Sequence, residues 1–218
     1  MGGRGQQALT AARVLVVGAG GLGSPAIAYL AGAGIGRLGI ADPDSVSLSN
    51  LQRQIIHTTA GIGNGKAASA GQFAQALNPE VQLDLYPEAV TPDNAARLLE
   101  HYDLVLDGTD NLLTRRAVAA AAVALARPLV SGAVSMFDGQ VTVFAPGGPA
   151  FADLYPDSAS DADLPNCEAT GILGPLTGVI GTLMAMEAIK LITGIGEPLI
   201  GRLLTYDSQG ARFSEFAY

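Results

Sequence analysis

A chain of 218 residues can bury one large core, and a single domain spanning 1–218 is the simplest organisation. Its 12 basic and 20 acidic residues leave a formal charge of −8 with no run of Lys or Arg, which excludes attraction to nucleic acid or an anionic membrane surface. Apolar residues make up 49% and charged ones 15%, enough apolar surface to predict that a second copy covers some of it in a homodimer.

The N-terminal stretch MGGRGQQALTAARVL has no charged region followed by an apolar one, so no secretory signal is visible and a cytoplasmic location is expected. From there, short apolar runs alternate with helical patterns: RVLVVG then SPAIAYLAGAG, RLGIAD then GKAASAGQFAQALN, VQLDLY then TPDNAARLLEHY, LVLDG then LLTRRAVAAAAVALA, and PLVSGAV. This alternation predicts an α/β fold, a Rossmann-like doubly wound sheet that is mainly parallel. Thr91 followed by Pro92 reads as a helix start, an N-cap hydroxyl and then a residue with no amide hydrogen to satisfy.

After residue 134 the pattern changes, dividing the domain into a nucleotide-binding half (1–134) and a C-terminal part (135–218). Asp138-Gly139 between two strand-like runs predicts a hairpin turn, and with it antiparallel strands that extend the sheet. Residues 146–170 lack periodicity and read as a loop. The run from Ile172 to Met186 is 15 residues long and contains Pro175, short of the roughly 20 needed to span a bilayer. It belongs to a helix of about 172–193, apolar nearly all round and therefore buried, in which Gly174, Gly178 and Gly181 let another backbone approach. RLLTYDSQGARFSEF closes the chain as two strands about a turn at 207–210.

The chemistry concentrates at predicted strand ends, where ligands bind in open α/β sheets. VLVVGAGGLGS places Gly18, Gly20 and Gly23 in G-x-G-x-x-G spacing between a strand and a helix, the context in which backbone amides and a helix N-terminus receive phosphate. Asp42, 19 residues beyond Gly23, suits a carboxylate on a ribose hydroxyl. These features alone do not separate a nicotinamide or flavin dinucleotide from ATP. Asn50, Arg53 and Gln54 form a polar cluster past the second strand. Lys66 stands in the first turn of a helix, where a cation opposes the helix dipole by about half a kcal/mol; a bound polyphosphate would reverse that balance. Asp110 or Asn111 explains itself as an N-cap worth about 1 kcal/mol, yet a carboxylate at that edge also suits Mg²⁺ shared with phosphates. His57 and His101 read as ordinary loop or helix-end residues.

GAGGLGSP, ADPDSVSLSNLQRQIIH, GKA, DGTDN and NCEATGILGPLTGVIGTLMAMEAIKL together resemble the ThiF/MoeB/HesA family of ubiquitin-activating-enzyme-like adenylyltransferases, from about Gly5 to Phe216. The resemblance implies a homodimer that uses ATP and Mg²⁺ to adenylate the C-terminal glycine of a small ubiquitin-like sulfur-carrier protein ending in Gly-Gly, within thiamine, molybdopterin or related sulfur transfer. It implies that Gly20 and Gly21 lie along the nucleotide, Asp42 binds ribose, Asn50, Arg53 and Lys66 contact phosphates with Gln54 beside them, and Asp110 binds Mg²⁺. Cys167 matches a loop cysteine that some relatives use in sulfur chemistry.

Two departures from the family stand out. Many relatives hold structural zinc with two C-x-x-C pairs; here Ala150 and Asp153 occupy the first pair and Cys167 is the only cysteine, so no structural zinc is expected. Relatives also carry an arginine on an N-terminal arm that reaches the partner's ATP, a motif that Arg4 does not match. The competing readings are an NAD(P)/FAD-dependent oxidoreductase, which leaves Arg53, Lys66 and Asp110 without a shared purpose, and a catalytically weak carrier-binding scaffold.

Overall fold

The computed structural model describes residues 2–156, 158 and 171–218, and Cys167 lies outside them. Eight strands form one sheet in the order β3-β2-β1-β4-β5-β6-β7-β8. β1 (Arg13–Val17), β2 (Arg37–Ala41), β3 (Gln82–Tyr86), β4 (Leu104–Asp107) and β5 (Leu129–Ser135) run parallel. β6 (Asp138–Phe144), β7 (Arg202–Asp207) and β8 (Arg212–Ala217) continue the sheet antiparallel. The expected fold class is therefore the observed one. Strand order reverses between β1 and β4, so a crevice opens at their C-terminal ends.

Side-chain alternation on β1 builds a core on each face of the sheet. Val14 and Val16 pack beneath α2 (Gly23–Ala33), α3 (Lys66–Leu77) and α7 (Gly174–Thr193), while Leu15 and Val17 pack toward α4 (Ala95–Leu99) and α5 (Leu112–Ala124). An N-terminal helix that the sequence pattern did not suggest, α1 (Gly2–Ala11), seals the first core with Leu9. Its apolar stripe is too thin to register as a period.

Four expectations need correction. The hairpin between β5 and β6 turns at Met136-Phe137, and Asp138-Gly139 already belongs to β6. Gly139 serves packing there, since a Cβ would meet Ile180 Cγ1 at 2.3 Å. Helix α4 starts at Ala95 because Asn94 Oδ1 accepts from the Thr91 amide (2.8 Å) and hydroxyl (3.3 Å), tying Thr91 and Pro92 into a turn. The stretch 146–170 contains α6 (Phe151–Leu154), whose Asp153 carboxylate accepts from the Ala150 amide at 2.8 Å.

The fourth concerns α7, which is 20 residues long and apolar enough, by length and composition, to cross a membrane. It packs instead against α2, β5 and β6, burying Leu176, Ile180 and Met184 while Met186 stays 53% exposed, so it is buried along one face and not all round. Gly181 and Gly174 do bring backbone close: a Cβ would lie 2.3 Å from Leu22 O and 2.4 Å from Gln52 O respectively. Gly178 faces open space. Glu187 on the buried side accepts from the Leu199 amide at 2.9 Å and pairs with Lys190, anchoring the segment that leads into β7.

Candidate functional site

A cleft of about 710 Å³ opens along the C-terminal ends of the parallel strands, within the size range of nucleotide and cofactor sites. The folding of each strand end explains what lines it. Gly18 ends β1 with φ +92°, a left-handed conformation that L side chains resist, and turns the chain into α2. Gly20 and Gly21 then present backbone to the cleft. Gly23 does not line it; a Cβ there would sit 1.9 Å from Gly18 O, so this glycine lets α2 pack on the loop.

Asp42 is buried at the end of β2. Its Oδ2 accepts from the Ala19 amide at 2.7 Å and its Oδ1 from the Asp44 amide at 2.9 Å. Burial raises its pKa above the usual carboxylate value, opposed by the amides of Asp44 and Ala19 and by Lys66. Two carboxylate oxygens offer about four acceptor positions, so capacity remains for a ligand hydroxyl.

Lys66 is 6% exposed and opens α3. Chain segments 44–46 and 63–66 pair in an antiparallel ribbon through the Ser45–Gly65 bridge. That ribbon carries the ammonium to Asp44, with Nζ donating to Oδ2 at 2.8 Å. A local partner thus exists that sequence reading missed, and the lysine is not a solvated surface residue. One of its three hydrogens is committed to Asp44, and two are left for the cleft.

A 3₁₀ turn (Leu48–Asn50) carries Asn50, and the amides of Arg53 and Gln54 both donate to its carbonyl, at 3.1 and 3.0 Å. Among the described residues the Arg53 guanidinium reaches only Ser49 O, at 3.4 Å. Helix α7 braces this turn from behind: Thr177 Oγ1 donates to Gly174 O at 2.8 Å and Arg53 O at 3.3 Å. Gln54 is buried, and its Oε1 has no partner among the described residues, leaving a polar atom in the cleft wall for a ligand to satisfy.

Across the cleft, Asn111 caps α5 by accepting from the Thr114 amide at 2.8 Å, which settles the capping question in its favour and leaves Asp110 exposed at the cleft mouth. The segment is clamped from below. Asp107 Oδ1 accepts from the Thr109 amide (3.0 Å) and hydroxyl (2.7 Å), and buried Arg115 donates to Thr109 O (2.6 Å) and Gly132 O (2.6 Å). Full burial raises the Asp107 pKa, with Arg115 opposing the shift.

Asn50, Arg53, Gln54, Lys66, Asp42, Gly18, Gly20, Gly21, Asp110 and Asn111 therefore converge on one cleft; of the nucleotide-binding candidates only Gly23 lies outside its lining. His57, read as an ordinary loop residue, is buried directly behind the glycine loop with both ring nitrogens engaged. Among the described residues no group of three or more His, Cys, Asp or Glu is placed to hold a metal by itself. A lone exposed carboxylate such as Asp110 still fits Mg²⁺, which usually takes one or two protein carboxylates and completes its shell with phosphates and water.

Comparison with known proteins identifies the family and the fold. The sequence matches the ThiF family over residues 1–218. It is 47% identical to a sulfur carrier protein adenylyltransferase of Thermus thermophilus, covering 98% of this chain and 81% of that protein. It is 49% identical to the probable adenylyltransferase/sulfurtransferase MoeZ of Mycobacterium tuberculosis (94% and 53% covered) and 46% identical to the adenylyltransferase and sulfurtransferase MOCS3 of Anopheles gambiae (98% and 48%). The chain thus spans about half the length of the latter two. The solved structure of E. coli MccB with ATP superposes with a TM-score of 0.86 at 18% identity, covering 98% of this chain and 66% of that one, a likeness of fold.

Proposed function

The chain belongs to the ThiF family, and we propose that it adenylates the C-terminal glycine of a small ubiquitin-like sulfur-carrier protein with ATP, releasing pyrophosphate. The observation that carries this reading is the convergence of a glycine loop, a ribose-type carboxylate, two cations and an exposed carboxylate on one cleft. An oxidoreductase would need the loop and Asp42 but gives no work to Arg53, Lys66 or Asp110.

In this reading the carrier's terminal carboxylate attacks the α-phosphorus of ATP. A carboxyl–phosphate bond forms, the bond to the bridging oxygen breaks, and pyrophosphate leaves. The nucleophile has an intrinsic pKa near 3.5 and is ionised at neutral pH, so no general base is required. The obstacle is bringing an anion to an anionic phosphate. Gly20 and Gly21 let the phosphates approach backbone, Asp42 orients the ribose, and Asn50, Arg53 and Lys66 face the phosphate chain. Asp110 would hold Mg²⁺, which supplies charge neutralisation of the phosphates when bound. Beyond the phosphate end, the cleft continues between Ser135, Asp138, Gln140 and Thr205 over the antiparallel strands, leaving room for a narrow carrier tail.

ATP–pyrophosphate exchange that appears only with carriers ending in Gly-Gly is the expected result. Carrier binding without exchange would instead mark a scaffold, and calorimetry showing tight NAD binding without ATP binding would overturn the assignment. The reading includes a homodimer, supported by Met186 on α7 and Tyr29 on α2, which are 53% and 57% exposed on adjacent packed helices. Sedimentation at micromolar concentration should find a dimer; a stable monomer refutes this element.

A further inference from the structure

His57 is 6% exposed and lies behind the cleft wall, not in it. Its Nε2 is 2.9 Å from Ala19 O, and a carbonyl only accepts, so Nε2 carries the hydrogen. Burial, with Lys66 adding to it, lowers the ring's pKa and favours the neutral imidazole, in which Nδ1 is the acceptor and takes the hydroxyl hydrogen of Ser69, at 2.8 Å.

These two bonds tie together the separate parts of the site. Ala19 is the residue between Gly18 and Gly20, and its own amide donates to Asp42 at 2.7 Å. One peptide unit's length of the glycine loop is thus held between the Asp42 carboxylate on one side and the His57 imidazole on the other. Ser69 lies on α3 one turn after Lys66, and its amide donates to Gly65 O at 3.0 Å. His57 itself follows the turn that carries Arg53, with its amide donating to Gln54 O at 3.0 Å.

We propose that His57 is a positioning residue for the nucleotide, its imidazole fixing the glycine loop against α3 and the Arg53 turn so that Gly20, Asp42 and Lys66 meet one ligand. It touches no substrate. This deepens the nucleotide reading given above and rests on it. The ordinary alternative, a histidine that merely fills the core, predicts that stability changes while ligand affinity does not.

The test compares wild type with His57→Phe, which keeps a ring but has no donor, His57→Gln, whose amide nitrogen can replace the Nε2 donor, and Ser69→Ala, which adds no bulk. Each is titrated with ATP by calorimetry, and loop opening is read as hydrogen exchange at the Ala19 amide. Loss of both imidazole hydrogen bonds should weaken ATP binding about tenfold in His57→Phe, and loss of the Ser69 bond alone about threefold in Ser69→Ala. Exchange at Ala19 should accelerate in both, and His57→Gln should recover most of the affinity. The KM for the carrier should not move. Imidazole nitrogen shifts of the wild type should report a neutral ring protonated on Nε2 at pH 7.

If His57→Phe does not fold, Ser69→Ala and His57→Gln decide. Wild-type ATP affinity in both His57→Phe and Ser69→Ala, whatever their melting temperatures, would overturn the proposal. A wild-type protein that binds NAD and not ATP would sink the adenylation reading alone, and the same variants compared with NAD would then decide the role of His57. Binding of neither nucleotide would overturn both.

Discussion

Lys66→Ala is expected to lower pyrophosphate exchange by about a hundredfold or more, the typical cost of removing one preorganised electrostatic contact from a transition state. From the sequence alone the same substitution should leave the melting temperature unchanged or raise it, because it relieves a clash with the helix dipole. The structure reverses that second expectation. The Lys66 side chain is 8% exposed and paired with Asp44, whose side chain is 65% exposed. Truncation removes buried methylenes at about 0.8 kcal/mol each, together with a half-exposed ion pair worth at most about 1 kcal/mol. The dipole relief returns about half a kcal/mol. The three methylenes dominate, and the net is a loss of about 2–3 kcal/mol, or roughly 4–12 °C in a chain of this size.

Lys66→Met separates the two effects, since it keeps the stem and deletes the charge: activity should fall as far as in the alanine variant while stability falls less. Asp44→Asn should cost less activity than either, because it leaves the ammonium in place and frees it from its only carboxylate partner among the described residues. Lys66→Met that exchanges pyrophosphate at the parent rate would show that the lysine serves the core and not the phosphates.

The parts of this molecule legible in the sequence are those set by local period and spacing. Alternation of apolar runs with helical patterns gives the doubly wound sheet, and G-x-G-x-x-G between a strand and a helix gives the cleft. The parts that were not legible depend on contacts between distant segments. Gly139 resembles a turn residue until Ile180 of α7 is seen against it. Thr91-Pro92 looks like a helix start until Asn94 takes up the Thr91 amide. Lys66 lacks a local partner until the 44–46 ribbon brings Asp44 to it. The supporting layer of the site, His57, Thr177 and Arg115, was invisible for the same reason. Each acts through a backbone carbonyl far away in sequence, at Ala19, Arg53 and Gly132 respectively, and a carbonyl carries no sequence signature.

Asp110 and Asn111 are adjacent, yet their substitutions should separate activity from stability. Asn111 accepts from the Thr114 amide and is the N-cap of α5, so Asn111→Ala should cost about 1 kcal/mol, a drop of about 2–4 °C in melting temperature. Asp110 makes no cap and is exposed at the cleft mouth. Its carboxylate gains only the few tenths of a kcal/mol that a negative charge receives near a helix N-terminus, so Asp110→Ala should hardly move the melting temperature. Its effect should fall on the chemical step. A carboxylate that shares Mg²⁺ with the phosphates acts where charge builds on departing pyrophosphate, and its loss should lower exchange by about a hundredfold. Asp110→Asn retains a neutral oxygen ligand, so raising the Mg²⁺ concentration should recover part of that loss, which no alteration of helix capping would produce. Thermal melts and Mg²⁺-dependent exchange on the three variants decide the matter. If Asp110→Asn shows the parent dependence on Mg²⁺ and the parent rate, Asp110 holds no metal and the exposed carboxylate belongs only to the surface of the loop.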